Sequence, residues 1–500
     1  MRTLTIIYAL AIIYALSVLP ALTSAQVPET PDKLVFPELE FTPPERSDYR
    51  HTLSSGAVVY VVEDHDLPLV DVLVKVRTGS YLEPRSKAGL AYFTGTQLRK
   101  GGTEKHTPEE FDEELAFLAA RMNARIGETQ GSASFNCLTK DLDRVLDLFA
   151  EMLRSPRFDP ARLALEKSQQ LQDLARRNDR TASIESREWT RLLRGTNFFS
   201  VDHVTEASIK SITRADLAAF HQRYFHPSRF VLAVSGDVDT KDILKRLETA
   251  LADWPRPPSA DSTPSVPTPD HRPAPGVYVV NKPSVNQGRV NIGHLSTTRD
   301  NPDFYALAMM NRILGGGGFT SRITSRVRSD EGLAYSAGSR YEFGLYYEGI
   351  FKSYFQSKSE SVARAASIVL EVIESMRAKK VSQTELDTAI SYVVGIFPKF
   401  FSAKRTIAAT FAEDEYTGRP LDYWKNYRDR MKAVTVDDVF RVSKEYLHPD
   451  RLVVLVVGDA AEILEGDAGS ADGFLEKLAG EKGIQRIPLP NPLTLEYPGE

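Results

Sequence analysis

Arg328 and Tyr335 stand seven residues apart in Arg326-Val-Arg-Ser-Asp-Glu-Gly-Leu-Ala-Tyr335. A guanidinium fork and a phenolic hydroxyl can both donate hydrogen bonds to a peptide carbonyl. Ile323 and Val327 mark the buried face of a short helix, Gly332 is a stop signal, and Leu333-Ala-Tyr-Ser opens a strand. The chain therefore reverses between Arg328 and Tyr335, which lets the two side chains approach. The spacing alone is more simply that of a surface Arg paired with Asp330 or Glu331, next to an ordinary strand Tyr. Just upstream, Gly315, Gly316, Gly317 and Gly318 follow a helix predicted over residues 302–314. A phosphate-binding loop would follow a strand and lead into Gly-Lys-Ser/Thr, whereas this run reaches Phe319-Thr320-Ser321-Arg322. A nucleotide site is a poor reading. Glycines here bring backbone freedom close to a partner or a peptide, as the lining loop of a chamber would need.

Other reactive groups supply less. Of the nine histidines, none forms His-Glu-x-x-His or His-x-x-Glu-His. His221 and His226 are five apart, which misses the spacing that puts two ligands on one helical face. His226 also recurs as His448 in the same local sequence, the mark of a structural turn. His65 lies in the solvated acidic turn Glu63-Asp64-His65-Asp66. The single cysteine, Cys137, has no internal disulfide partner and reads as a packed strand residue. No Gly-x-Ser-x-Gly elbow is present.

The elements that must position these groups are written twice. Residues 212–237 and 434–459 match at a constant offset of 222: Tyr224 with Tyr446, His226-Pro227 with His448-Pro449, Arg229 with Arg451, Gly236-Asp237 with Gly458-Asp459. Each copy reads as a Thr N-cap with Asp three residues on, a helix ended by His-Pro, and a β-branched run forming a buried strand. Upstream, Asp159-Pro160 opens a helix containing Leu163, as Ser382 with Glu385 opens one containing Leu386. The chain is thus a tandem duplication of an α+β domain. In the first copy, strands are predicted over 57–62, 69–76, 122–126 and 131–138, and helices over 89–99, 108–120, 140–153 and 160–177. Strands adjacent in sequence favour an antiparallel sheet with helices mainly on one face.

Composition bounds the function class. The 500 residues are 42% hydrophobic and 26% charged, with 62 Lys and Arg against 67 Asp and Glu. That is a folded, soluble composition with no electrostatic footprint for nucleic acid. Met1-Arg2, an apolar stretch over 4–19, Pro20 and the small residues Thr23-Ser24-Ala25 form a secretory signal, cut after Ala25. The apolar stretch is shorter than the ~20 residues a spanning helix needs, so the mature chain has no predicted membrane span. The rest divides into an N-terminal arm (26–47), a first domain (48–254), a Pro-rich linker (255–275), a second domain (276–487) and a tail (488–500). The linker, with eight prolines, reads as a semi-rigid tether letting the halves face each other across a gap. The tail reads as a similar extended arm.

The two-copy layout resembles the M16 (pitrilysin, or insulinase-like) zinc peptidases, in particular the two-domain branch containing mitochondrial processing peptidase. The resemblance spans residues 51–459. It is carried by Gly79-Ser-Tyr-Leu-Glu-Pro84, Gly89-Leu-Ala91, Lys140-Asp-Leu-Asp143, Phe158-Asp-Pro160, both His-Pro…Gly-Asp copies, and Gly332-Leu-Ala-Tyr335. In the family's active chain, His-x-x-Glu-His follows that Gly-Leu-Ala; the two His bind zinc and the Glu activates water. Here Tyr92 and Thr96 take the histidine positions, Gly95 the position of the base, and Gln172 that of the distal Glu ligand. Tyr, Thr and Gln are poor zinc donors, and Gly has no side chain to accept a proton. Asp173, adjacent to Gln172, projects about 100° away around its helix. The resemblance thus implies no catalytic residue, metal or cofactor in this chain alone. Arg328 and Tyr335 match the family's substrate-binding pair, which implies that role for them. The implied protein is a non-catalytic subunit exported to the periplasm, which binds peptide and meets a zinc-bearing M16 partner carrying His-x-x-Glu-His. The alternative is a metal-free, peptide-holding scaffold.

Overall fold

Each half is organised around one continuous apolar run. Residues Phe230–Gly236 and Val453–Gly458 bury nearly every side chain along their length, on both faces. A strand that is apolar on both faces belongs in the middle of a sheet. In the computed structural model, which describes residues 30, 40–254, 265–470 and 473–499, both strands lie there. The first sheet holds β1 (Arg50–Thr52), β2 (Val58–Glu63), β3 (Leu69–Val76), β4 (Arg121–Ile126), β5 (Gly131–Leu138) and β6 (Phe230–Gly236). Its order is β1-β2-β6-β3-β5-β4. The second holds β7 (Gly276–Asn281), β8 (Gln287–Leu295), β9 (Ala334–Tyr341), β10 (Ile350–Lys358), β11 (Val453–Gly458) and β12 (Gln485–Ile487), in the order β12-β7-β11-β8-β10-β9.

The tandem α+β architecture is therefore present, with one correction to the sheets. They are mixed, because β6 enters between β2 and β3, parallel to the former and antiparallel to the latter. Likewise β11 runs parallel to β7 and antiparallel to β8. The sixth strands are not equivalent: β1 pairs antiparallel with β2, whereas β12 pairs parallel with β7.

Seven helices matter below: α1 (Leu90–Lys100), α2 (Pro160–Ala175), α3 (Thr181–Arg194), α4 (Arg214–Tyr224), α5 (Gln383–Ile396), α6 (Lys404–Thr417) and α7 (Val436–Tyr446). Thr213 caps α4 and Thr435 caps α7, each in a reciprocal box with the Asp three residues on. Ser382 and Glu385 do the same for α5, and Asp159 caps α2 ahead of Pro160. These contacts satisfy backbone N–H groups that a helix start leaves orphaned.

The two halves exchange a helix. α3, from the first half, lies on the second sheet, where Ile184, Trp189 and Leu193 form one buried cluster with Tyr278, Val280, Val453, Leu455 and Val457. α6, of the same 14-residue length, lies on the first sheet. There Phe411 meets the Tyr60 ring at 5.9 Å. The Tyr60 hydroxyl donates to Glu415 at 2.7 Å, and Arg50 pairs with the same carboxylate at 3.0 Å. Lys75 pairs with Glu413, and Arg77 donates to the Tyr416 carbonyl at 2.9 Å. Each sheet thus has the central part of one face packed by a helix of the other half. Residues 43–500 consequently form one unit, and the expected gap between tethered halves is replaced by a clasp.

Connecting segments differ from expectation for the same reason. Residues 255–264 of the linker lie outside the described residues, as does the signal over 1–25. The linker's end docks, His271 Nε2 lying 3.1 Å from the Leu192 carbonyl. The tail is not a free arm: Asn178 donates to the Pro490 carbonyl at 2.8 Å, and Tyr497 to Glu188 at 2.9 Å. Among the described residues, no helix is long and apolar enough to cross a membrane.

Candidate functional site

Arg328 and Tyr335 meet at the far edge of the second sheet. The predicted short helix begins as an α-turn at Arg322–Thr324 and continues as a π-helical turn, Ser325–Asp330, with Ile323 and Val327 fully buried. Gly332 adopts φ +64°, the left-handed conformation that ends the helix. The chain then enters β9 with Tyr335 at its second residue. The Arg328 guanidinium carbon lies 4.5 Å from the Tyr335 ring centroid and 4.5 Å from that of Phe319. Arg328 thus touches two aromatic rings, and both aromatic residues are largely in solvent, Tyr335 84% and Phe319 65% exposed.

The glycine run forms another wall of the same cleft. It ends the preceding helix as a π-helical turn, Arg312–Gly316; π-turns of this kind recur at functional sites. A Cβ at Gly315 would fall inside van der Waals contact of the Ser339 amide nitrogen. Glycine is needed there for the helix to dock backbone-to-backbone on β9. Gly315, Gly316, Gly318, Phe319, Arg328 and Tyr335 line a cleft of about 530 Å³. Phe319 joins the cleft beside Arg328, and an aromatic residue directly after a glycine run is the signal that marks it in the sequence.

The first half presents a different surface at the zinc-motif positions. Tyr92, Thr96 and Lys100 recur every four residues along the outer face of α1. The Tyr92 hydroxyl donates to Glu166 Oε1 at 2.7 Å, Lys100 Nζ to Glu166 Oε2 at 2.7 Å, and Gln170 Nε2 to the Tyr92 oxygen at 2.7 Å. Glu166 is only 4% exposed. Burial alone would raise its pKa, but the hydrogen bonds from Lys100 and Tyr92 outweigh it and hold the carboxyl below its ordinary value. The same surroundings push the Tyr92 phenol up, through burial first and then its bond to Glu166. Thr96 turns its hydroxyl back to the Tyr92 carbonyl at 3.1 Å.

Gln172, aligned to the distal ligand, does not face this cluster. It is exposed, and Glu166 and Gln170 make the contacts instead. Residues 166, 170 and 173 share one face of α2, while 172 lies about 200° around from 170. Asp173 accordingly acts electrostatically on Tyr92, against its expected orientation. At Gly95, a Cβ would overlap the Ile126 amide nitrogen and the Arg125 backbone of β4. The donor set does not suit zinc: one buried carboxylate is already neutralised by an ammonium, and the base position cannot carry a side chain without moving helix or strand. Among the described residues, no group of three or more His, Cys, Asp and Glu is placed to hold a metal ion.

The remaining groups are structural. His226 Nδ1 accepts from the Ser228 amide at 3.2 Å, fixing the His-Pro turn. His448 instead donates its backbone N–H to His294 Nε2 at 3.2 Å. His65 lies 2.8 Å from Asp237 on the surface. Cys137 is buried, and burial pushes its thiol up to about 12.

Comparison with known proteins bears on both surfaces. The family model described as Insulinase (Peptidase family M16) matches residues 58–191, and that described as Peptidase M16 inactive domain matches residues 211–393. A Helicobacter pylori protein named non-peptidase homolog YmxG is 24% identical over 400 residues, spanning 79% of this chain and 90% of its own. The crystal structure of a peptidase M16 inactive domain from Pseudomonas fluorescens has a TM-score of 0.73 at 26% identity, over 82% of this chain and 97% of that one. The periplasmic protease PqqL of Escherichia coli has the same fold over 85% of this chain but only 48% of its own, with a TM-score of 0.68 and 17% identity.

Proposed function

The chain belongs to the M16, insulinase-like family, and from that membership we propose that it is the non-catalytic, substrate-binding subunit of an exported heterodimeric zinc metallopeptidase. The observation that carries this reading is the pairing, in one chain, of an open Arg328–Tyr335 cleft with an α1 face closed by Tyr92, Lys100 and Glu166. The partner brings zinc and the general base on its own His-x-x-Glu-His helix. This chain brings the Arg328 fork and the Tyr335 hydroxyl, which donate to a substrate carbonyl and to the oxyanion developing on it. The glycine run, with no side chains to obstruct it, lets an extended peptide approach the backbone. Two further points support the reading. One relative is named a non-peptidase homolog. The chain also shares its fold with 48% of the longer periplasmic protease PqqL, an arrangement that two chains of this size could reproduce. The secretory signal expected from the sequence of residues 1–25 supports export.

The name of that relative also favours a second reading, a metal-free protein that holds peptides or serves as a scaffold. Affinity capture of the full chain, with sequencing of what accompanies it, separates the two. The subunit reading expects a co-purifying chain bearing His-x-x-Glu-His, and hydrolysis only when both chains are mixed. Arg328→Ala should then lower kcat/KM of the mixture by about 100-fold, the scale for removing one oxyanion donor. Peptide binding that no partner converts to hydrolysis favours the holding protein.

A further inference from the structure

Arg328 is prepared for more than a neutral carbonyl. Its guanidinium carbon lies 4.5 Å from the ring centroids of both Phe319 and Tyr335, close enough for both rings to support it while its N–H donors remain available to a ligand. Arginine supported in this way is weakly hydrated and loses little freedom when its fork engages a planar anion. Glu331 pairs with Arg364 at 2.9 Å rather than with Arg328, and Asp330 is turned to solvent. Among the described residues, no carboxylate lies within ion-pair distance of Arg328. The cleft wall adds a second cation, Arg340, whose contact with Glu342 is long at 3.7 Å, and no Asp or Glu lines the cleft. A site with two arginines and no acid repels basic side chains and attracts carboxylates.

We propose that the cleft selects carboxylate-bearing peptide segments, held bidentately by Arg328 beside Phe319 and Tyr335. The proposal rests on the reading that this cleft receives peptide, and it names the class of peptide. The carboxylate comes either from an Asp or Glu side chain or from a free chain end.

The test uses the purified full chain and fluorescent, end-blocked hexapeptide pools with Glu, Gln or Lys fixed at one central position. Affinity is read by anisotropy at low and high ionic strength. The Glu pool should bind about tenfold tighter than the Gln pool, the scale of one charge-assisted hydrogen bond. The Lys pool should bind most weakly, and added salt should narrow the gap. Arg328→Gln should bring the Glu and Gln pools to equal affinity. Arg328→Lys should keep part of the difference, since it retains the charge but loses the fork. A Gln pool with an unblocked C-terminus that rises to the affinity of the Glu pool assigns the chain end as the source; no rise assigns the side chain. Equal binding of Glu and Gln pools by the unaltered chain overturns the carboxylate selection and leaves the peptide-binding role standing. Binding of no pool overturns both.

Discussion

The two halves start from one unit and present opposite surfaces where a helix docks on an edge strand. In each, a glycine brings that helix against strand backbone, Gly95 on β4 and Gly315 on β9. In the first half the helix continues regularly, and its outer face is closed by a phenol, an ammonium and a buried carboxylate. In the second half the helix loosens into a π-turn and glycines, and an arginine touching two aromatic rings opens to solvent. Duplication kept the docking geometry and freed the outward side chains to diverge. The exchanged helices repeat the pattern: α3 seats through an apolar cluster, α6 through Phe411 together with ion pairs.

The largest effect should come from breaking the exchange. Trp189→Ala and Phe411→Ala each remove a buried aromatic anchor and should cost about 3–5 kcal/mol. If the exchange couples the halves, calorimetry will show one transition moving for either substitution. Two transitions, with only one moving, would break the comparison. Next comes the pair of glycine sites. Gly95→Ala should cost about 1–3 kcal/mol, because helix and strand must part. Gly318→Ala, at φ +62° with open space around it, should cost about 1–2 kcal/mol from left-handed strain alone. Thermal unfolding measures both, and a harmless Gly95→Ala would contradict the close docking of α1.

The smallest effect is the acid sensitivity that buried histidines bring to both halves. Burial lowers His203 and His221 to about 4 in the first half, and His294 to about 4 in the second half. With folded values below the ordinary 6.5, the unfolded chain takes up these protons first. Their stabilisation is therefore present above about pH 6.5 and is lost as pH falls toward 4. Each should contribute about 1 kcal/mol of loss by pH 5.5. Burial raises the Glu83 carboxyl to about 7, which acts in the opposite sense over the same range. The histidine share is therefore read by difference: urea unfolding at pH 7 and 5.5 should show His221→Gln losing about 1 kcal/mol less than the unaltered chain.

Much of the local structure was legible. β3 and β5 fall where alternating apolar residues placed them, and the reciprocal caps at Thr213, Thr435 and Ser382 form as the pattern requires. The return strands β6 and β11 were recognised as buried, yet their insertion between earlier strands was not, because pairing partners lie far away in sequence. Gln172 was misplaced because alignment counts positions, whereas facing a neighbouring helix depends on rotation about the axis. Glu166, Lys100 and Gln170 went unnoticed, each being an ordinary polar residue until two helices pack.

What the chain determined by itself was short-range: where elements begin and end, that the unit occurs twice, and which side chains stand at 92, 95, 96, 328 and 335. Hydrogen bonds and apolar periodicity act over a few residues, so sequence suffices for them. Only the tertiary structure decided that each half packs a helix on the other's sheet, that Lys100 neutralises Glu166, and that Phe319 and Tyr335 both rest against Arg328. Those outcomes depend on burying apolar area and charge against distant partners, a balance that exists only once the whole chain is assembled.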